Sequence, residues 1–426
     1  MEALLFQSSI LDSGFIAGHD ILGFSVGWLE TIPLPNAFTR IGTNEHESGA
    51  SGRAFEQPII HIVSGHEQVL RLNRCLVELS ARCGQHGTMD DLAFFLTKPG
   101  AMPRIPYLLL VSKTPELDLK NPKLDDLLGA LLIFEQNICG IGVGAFATND
   151  RSGRSTLIAM AQDRTRVVAL CIRALMKRGA HLILMSYRAG GGVGTAATDN
   201  HPLLEVENTG VEVACWAQRK RTIAGYLPLL KTFDATLARI GQRTRSNLRY
   251  YRRRAEADLG CVFFAQIEAT REEVLRFNRQ CMYAVPASVA KWRYDSLKAL
   301  KEPVFMGMKD REGHWLSILG GRRYGTRSEI LWQMNRSGHA TSSLGTVMRS
   351  YCIDHEIAHG SRRLYIEGGT PHPIKFSFVT EELTDLVVMR PTIIAKVMHM
   401  AARRWIAPDN DLSHMLDAKD LEWRPC

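Results

Sequence analysis

The chain of 426 residues is 45% hydrophobic and 23% charged, proportions that fit a folded protein and exclude a disordered one, and its length calls for two domains instead of one core. A formal charge of +8 is compatible with a phosphate-bearing partner such as a nucleotide, a CoA ester, tRNA or an anionic lipid surface, and equally with an Arg-rich solvated surface. No CxxC pair occurs among the 9 cysteines, which excludes a disulfide framework and a Cys-type zinc site and points to reduced, buried thiols.

The first stretch, MEALLFQSSILDSGF, lacks the basic start of a secretory signal, and no apolar run is long enough to span a bilayer, so a cytoplasmic location is expected. Residues 1–58 are rich in Gly, Ser and Pro and read as an irregular segment. From His66 the apolar residues Val69, Leu72, Leu76 and Leu79 recur at helical spacing up to Gly84. Strands are expected at IPYLLLVS, GALLIFEQ, GIGVGAFA and STLIAMA, then a helix at RTRVVALCIRALMKRG and a buried strand at AHLILMSY. The alternating glycines of CGIGVGAF imply close backbone approach, since the string is not GxGxxG and has no helix after it.

A charged, Gly-rich connection is expected around residues 188–225, including RAGGGVGTAA, which lacks the Lys-Ser/Thr of a phosphate loop. The segment LARIGQRTRSNLRYYRRRAEADLG predicts a helix with the apolar stripe Leu248, Tyr251, Ala255 and Leu259. Every basic residue from 239 to 254 is Arg, whose planar fork suits phosphate or carboxylate, so Arg245, Arg249 and Arg252 are candidate anion ligands; a salt-bridged solvated helix is the alternative. Helices follow at TREEVLRFNRQCMY and ASVAKWRYDSLKALKE, strands at PVFMGMKD, HWLSILGGRRY and SEILWQMN, a helix at TSSLGTVMRSYCIDHEIAHG and a strand at RRLYIEGG. This order repeats that of the first half.

The turn NRSGHATSSLG offers hydroxyls and backbone N–H groups at a helix start, where a pyrophosphate would sit; Asn335, Ser337, Thr341, Ser342, Ser343, Leu344 and Gly345 are the candidate donor-binding residues. At the other end of that helix, His355-Glu356-x-x-His359 has the spacing by which zinc peptidases set two imidazoles on one helical face. Arg362 and Tyr365 stand where the longer form of that motif needs Gly and His, so a zinc hydrolase is the weaker reading and no metal is expected. Imidazoles at a helix C-terminus also suit the dipole there.

The run YLPLLKTFDATLARIGQRTRSNLRYYRRRAEADLG, together with NRSGHATSSLGTVMRSYCIDHEIAHGSRRLYIEGGTPHPIKFSF, resembles the GNAT-type acyltransferases of cellulose and exopolysaccharide biosynthesis, which are akin to the FemABX aminoacyltransferases. The resemblance covers residues 215–385 well and the first half in layout alone. It implies an α/β fold of tandem GNAT-like domains with mixed, mostly antiparallel sheets: a degenerate domain at 59–214 and the catalytic one at 215–426. It also implies acyl transfer by direct attack, with an acyl-CoA as donor and an amine or hydroxyl, on a small molecule or saccharide, as acceptor. The donor loop of that family, Gln/Arg-x-x-Gly-x-Gly/Ala, is replaced in the first half by QDRTRV, with Thr165 and Val167 at the small positions, and is missing from the second. The first copy is therefore expected to bind no donor, and aminoacyl-tRNA stays open as the donor of the second.

Acyl transfer needs a base near the acceptor and an acid near the leaving group; Glu329, Tyr365, Glu367, His372 and Lys375 are the candidates. A non-catalytic anion-binding protein on the same scaffold is the other reading. The late helix TIIAKVMHMAARRWIA fits packing on the protein, or a peripheral membrane contact if its apolar residues are exposed.

Overall fold

In the segment Arg104–Ser112 the side chains alternate between two apolar cores: Tyr107, Leu109 and Val111 enter one, Leu108 and Leu110 the other, so the strand is buried on both faces. A computed structural model of the chain describes residues 39–41, 58–85, 88–97, 104–138, 141–148, 156–188, 215–367, 372–390, 392–395 and 424–425. The glycine-rich run at 189–197 and the late helix beyond residue 395 lie outside the described residues, as does nearly all of the segment 1–58.

The first half contains β1 (Thr39–Ile41), β2 (Ile59–Ser64), α1 (His66–Arg71), α2 (Asn73–Arg82), α3 (Leu92–Thr97), β3 (Arg104–Ser112), β4 (Leu127–Ile138), β5 (Ile141–Ala147), β6 (Leu157–Ala159), α4 (Arg164–Lys177) and β7 (Leu182–Arg188). The second contains β8 (Cys215–Pro228), α5 (Phe233–Ala238), α6 (Gln242–Leu259), β9 (Val262–Phe264), α7 (Arg271–Arg279), α8 (Ala287–Leu297), β10 (Pro303–Lys309), β11 (Trp315–Tyr324), β12 (Arg327–Asn335), α9 (Leu344–Ala358), β13 (Arg363–Ile366) and β14 (Val379–Met389). Along the sheet the order is β1-β2-β3-β4-β5-β7-β14-β8-β13-β12-β11-β10-β9. Neighbours run antiparallel except β5 with β7 and β12 with β13, which are parallel and joined by α4 and α9. One strand-helix-strand unit thus occurs twice in a mixed, mostly antiparallel sheet, and the fold is of the expected α/β class.

Two strands depart from the sequence reading. The connection expected around 188–225 instead contains most of β8, and β14 inserts between β7 and β8, so the two halves share one sheet. Charge explains why β8 does not look like a strand. Asp385 of β14, fully buried, accepts hydrogen bonds from Arg221 Nε at 2.6 Å, Arg219 Nη2 at 3.3 Å and Ser186 Oγ at 2.5 Å, so the basic run of β8 pairs across the sheet. The glycines of β5 have a local cause as well. Glu135 lies against them, accepting from Gly144 N at 2.8 Å, and a Cβ on Gly142 would stand 2.5 Å from its carboxylate.

A second buried cluster ties the halves together. Arg322 is wholly buried between Asp91 (2.8 Å), which precedes α3, and Glu329 of β12 (2.6 Å), with Phe95 and Tyr324 rings stacked on its guanidinium at 4.7 and 4.3 Å. Phe94 and Phe95 of α3 also enter the core built by α7, α8 and β10–β12. Among the described residues no helix is long and apolar enough to cross a membrane. Replacing Arg322 by Met strands two buried carboxylates, so Arg322→Met is expected to lower the unfolding free energy by about 3–5 kcal/mol in urea titration. A change below about 1 kcal/mol would mean that water reaches the cluster.

Candidate functional site

The site begins where β12 and β13 part. Ser328, Glu329 and Ile330 are in register with Leu364, Tyr365 and Ile366, and the last bond between the strands runs from Glu367 N to Ile330 O at 2.9 Å. Beyond it no backbone bond joins the two among the described residues. At the same point β12 carries a bulge: Ile330 opposes Gly321 and Trp332 opposes Gly320, leaving Leu331 without a counterpart. This extra residue switches faces, so Ile330 points into the core under α6 and α9 while Trp332 points into the core under α7 and α8. The glycine pair of β11 makes the bulge possible, because a Cβ on Gly320 would stand 2.2 Å from the Trp332 ring and one on Gly321 2.3 Å from Glu329 O.

Over this gap stands the start of α9. Ala340–Ser342 forms a tight turn, and Ser343 adopts the left-handed conformation (φ 48°), the one non-glycine residue with positive φ among the described residues. Its side chain does not cap the helix. Instead Ser343 Oγ pairs with Thr346 Oγ1 at 2.7 Å, and the N–H groups of Leu344 and Gly345 have no partner among the described residues. Asn335 Oδ1 accepts from Ser317 Oγ and Gln333 Nε2, both at 2.9 Å, and a Cβ on Gly345 would lie 3.4 Å from Asn335, so the helix start sits on the end of β12. Ser337 is tied away from the gap to Gln280 O (2.9 Å), whereas Thr341 is exposed and Ser342 half-buried.

His372 locks this corner. Its Nδ1 accepts from Ile374 N at 3.2 Å, so Nε2 carries the proton and donates to Thr346 Oγ1 at 3.1 Å. Burial and the nearby Arg349 push the ring's pKa down to about 4. With both nitrogens engaged, His372 works as a strut holding the turn Pro373–Ser377 onto α9. Lys375 of that turn is partly buried, and its ammonium pairs with no carboxylate among the described residues.

Under the first turns of α9, Leu319, Ile330, Gln333, Arg349, Cys352, Leu364 and Ile366 surround a gap too tight to admit water. Arg349 is only 6% exposed, its Nε is buried without a hydrogen-bond partner, and no carboxylate pairs with it among the described residues. The signal for it in the sequence is a lone arginine on a helix otherwise buried nearly all round, between Met348 and Tyr351.

The remaining base candidates separate. Glu329 and Tyr365 are register partners at 0% exposure: the first is held by Arg322, and the second packs its ring on Tyr226 at 5.4 Å. Glu367, partly buried, stands at the parting itself. Of the arginines expected to bind an anion, Arg252 pairs with Asp354 (2.9 Å) and stacks on Tyr351 (4.2 Å), fastening α6 to α9, and Arg249 pairs with Asp234 at 2.6 Å. Arg245, partly buried, makes no ion pair among the described residues.

In the His-Glu-x-x-His motif, Glu356 is fully buried and turned into the protein. It takes a two-pronged ion pair from Arg323, with contacts of 2.9 and 2.6 Å, and hydrogen bonds from Ser328 and Ser361, which hold its carboxyl below the ordinary range despite burial. Its oxygens therefore have no room to polarise a metal-bound water. His355 stacks on His359 and lies tilted against Phe263, with centroids 6.1 Å away in each case, and burial lowers its pKa, so the neutral ring is favoured over the cation expected at a helix end.

No protein-family model matches the chain, and no curated protein matches it. Among solved structures it is similar to FemX, with a TM-score of 0.45 and 10% identity over 74% of this chain and 98% of that one. It is also similar to an L-PGS from Bacillus licheniformis (TM-score 0.44, 11% identity, 78% of this chain and 96% of that one). A tandem GNAT protein from the clavulanic acid biosynthesis pathway gives a TM-score of 0.40 at 11% identity, covering 77% of this chain and 98% of that one.

The depressed pKa of His372 has a sign that can be checked. The unfolded ring takes a proton near its ordinary value of 6.5 while the folded ring resists until about 4, so this contribution to stability is complete above pH 6.5 and is lost as pH falls from 6.5 towards 4. Melting temperatures measured between pH 7.5 and 4.5 are expected to fall more steeply for the parent than for His372→Gln; parallel curves would place the ring in water.

Proposed function

We propose that the chain is an acyltransferase whose second half, residues 215–426, binds an acyl-CoA at the start of α9 and passes the acyl group directly to an amine or hydroxyl of a small molecule or saccharide. The observation carrying this reading is the parting of β12 from β13 directly beside a helix start whose N–H groups at Leu344 and Gly345 have no partner among the described residues. Such N–H groups and the positive helix end favour the donor's pyrophosphate. The bared edge of β12 beyond Ile330 gives the thioester a strand to lie along.

In the step itself the acceptor's nitrogen or oxygen attacks the thioester carbonyl, the C–S bond breaks, and the acceptor's proton must leave as CoA departs as thiolate or thiol. Glu367 is the base we propose for that proton, since Glu329 and Tyr365 are sealed in the interior and His372 has both nitrogens engaged. Lys375 is the proposed source of positive charge for the leaving group. The first half is proposed to bind no donor, because Thr165 and the buried Val167 stand at the positions the donor loop needs small. A role in exopolysaccharide synthesis rests on the sequence resemblance alone. The complete burial of Glu329 and Tyr365 favours a second reading, a non-catalytic anion-binding protein on the same scaffold.

Two measurements separate these readings. Saturating acetyl-CoA is expected to raise the melting temperature by several degrees, since a ligand at about 100 times its Kd adds roughly 2.7 kcal/mol. Thiol release with an acceptor from an amine and saccharide panel should then be slowed by about a hundredfold or more in Glu367→Gln, with the thermal shift retained. A shift without thiol release from any acceptor would support the binding protein, and a shift with uncharged tRNA in place of CoA would replace the donor.

A further inference from the structure

Residues 231–259 carry eight basic side chains against three acidic ones, a surplus of five where the whole chain has +8. Each acid is taken by an arginine: Asp234 by Arg249 at 2.6 Å, Glu256 by Arg252 at 3.3 Å and Asp258 by Arg254 at 2.9 Å. Lys231, Arg239, Arg243, Arg245 and Arg253 are left with no ion pair among the described residues. Much of this surplus faces outward. Along α6, Arg243, Ser246, Tyr250, Arg253 and Ala257 are exposed at spacings of three and four residues, opposite Leu248 and Ala255, which enter the core. The Tyr250 ring, 49% exposed, stands between Arg243 and Arg253 and is braced edge-on by Tyr251 at 5.2 Å. Like charges three and four residues apart on a helix repel, so this face lowers stability without packing against anything among the described residues.

From this arrangement we infer that the outer face of α6 docks RNA, at a stretch whose bases are unpaired. Arginine forks match the oxygens of successive phosphates, and an exposed tyrosine among them offers a ring on which a splayed base stacks. An anionic bilayer is a poorer partner, because the apolar stripe of α6 is buried and its outer face presents no exposed Leu, Ile, Phe or Trp to enter a membrane. Duplex DNA would meet the charges and leave Tyr250 unused. The inference is independent of the acyl-transfer reading, whose proposed donor ligands at Leu344 and Gly345 lie on another helix.

The test is fluorescence anisotropy of the full chain with a labelled RNA hairpin bearing a wide loop, at salt concentrations from about 50 to 200 mM. The parent is expected to bind the hairpin about fivefold or more tightly than a duplex DNA with as many phosphates. Joint replacement of Arg243→Gln and Arg253→Gln should weaken binding and flatten the slope of log affinity on log salt by about 1.4, two contacts at about 0.7 each. Tyr250→Ala should lower affinity about fivefold or more and leave that slope unchanged. Neither variant should melt below the parent, since these side chains are exposed. Arg276→Gln with Arg279→Gln, which removes exposed cations of α7 outside this face, should bind as the parent does. An equal loss in that control would reduce the effect to net charge and overturn the inference. So would hairpin binding that survives loss of both Arg243 and Arg253, a hairpin held no more tightly than duplex DNA, or tight binding of phosphatidylglycerol vesicles with none of RNA. The thermal shift with acetyl-CoA is read separately and stands or falls on its own.

Discussion

Arg322 is the interaction on which the geometry of the second half rests. A charge at 0% exposure must be neutralised where it stands, and the two carboxylates that do so come from opposite halves of the chain, Asp91 and Glu329. Glu329 is in turn the register partner of both Arg322 on β11 and Tyr365 on β13, so the charge pair fixes β12 against β11 at the residue where β12 also meets β13. One residue further along, the pairing of β12 with β13 ends and the Leu331 bulge turns the strand over. The gap beside the start of α9 is thus anchored from beneath by a rigid polar cluster.

The two buried arginines give the same physics two outcomes. At Arg322 two carboxylates offset the charge, and the result is structure. At Arg349 the Nε is buried with no hydrogen-bond partner among the described residues, about one helical turn from N–H groups that have none there either. Local rules in folded proteins tend to be broken where function requires it. Among the described residues the corner of α9, β12 and β13 gathers more such departures than the buried glutamates that first draw attention as bases.

Much of the architecture was legible from the sequence because it is written in short-range periodicity. The stripe Leu248, Tyr251, Ala255 and Leu259 does face the core from α6, and the runs at β10, β11 and β12 are strands at nearly the expected bounds. Strand β8 was not legible, since the run Arg219, Lys220, Arg221 looks like a solvated connection until Asp385, far away in sequence, is known to lie across from it. The same limit applies to the site. The turn before α9 could be picked out by composition, but which of its hydroxyls meet the gap could not: Ser337 turns to Gln280 and Ser343 to Thr346. For Glu356 and Arg252, spacing suggested chemistry and long-range partners, Arg323 and Asp354, turned them to structure. Arg349 carried a readable signal, a charge on an apolar helix, but its burial comes from strands far away in sequence.

The central claim is that a CoA-borne acyl group lies between β12 and β13 at the start of α9. Hydrogen–deuterium exchange with and without acetyl-CoA addresses it most directly, because the bared edge of β12 and the first N–H groups of α9 are the atoms proposed to bind. The account predicts slowed exchange in the peptides covering 331–335 and 344–349, with no change in the corresponding first-half unit of β5, α4 and β7. Slowed exchange confined to that first-half unit would contradict it, as would protection that leaves the start of α9 untouched.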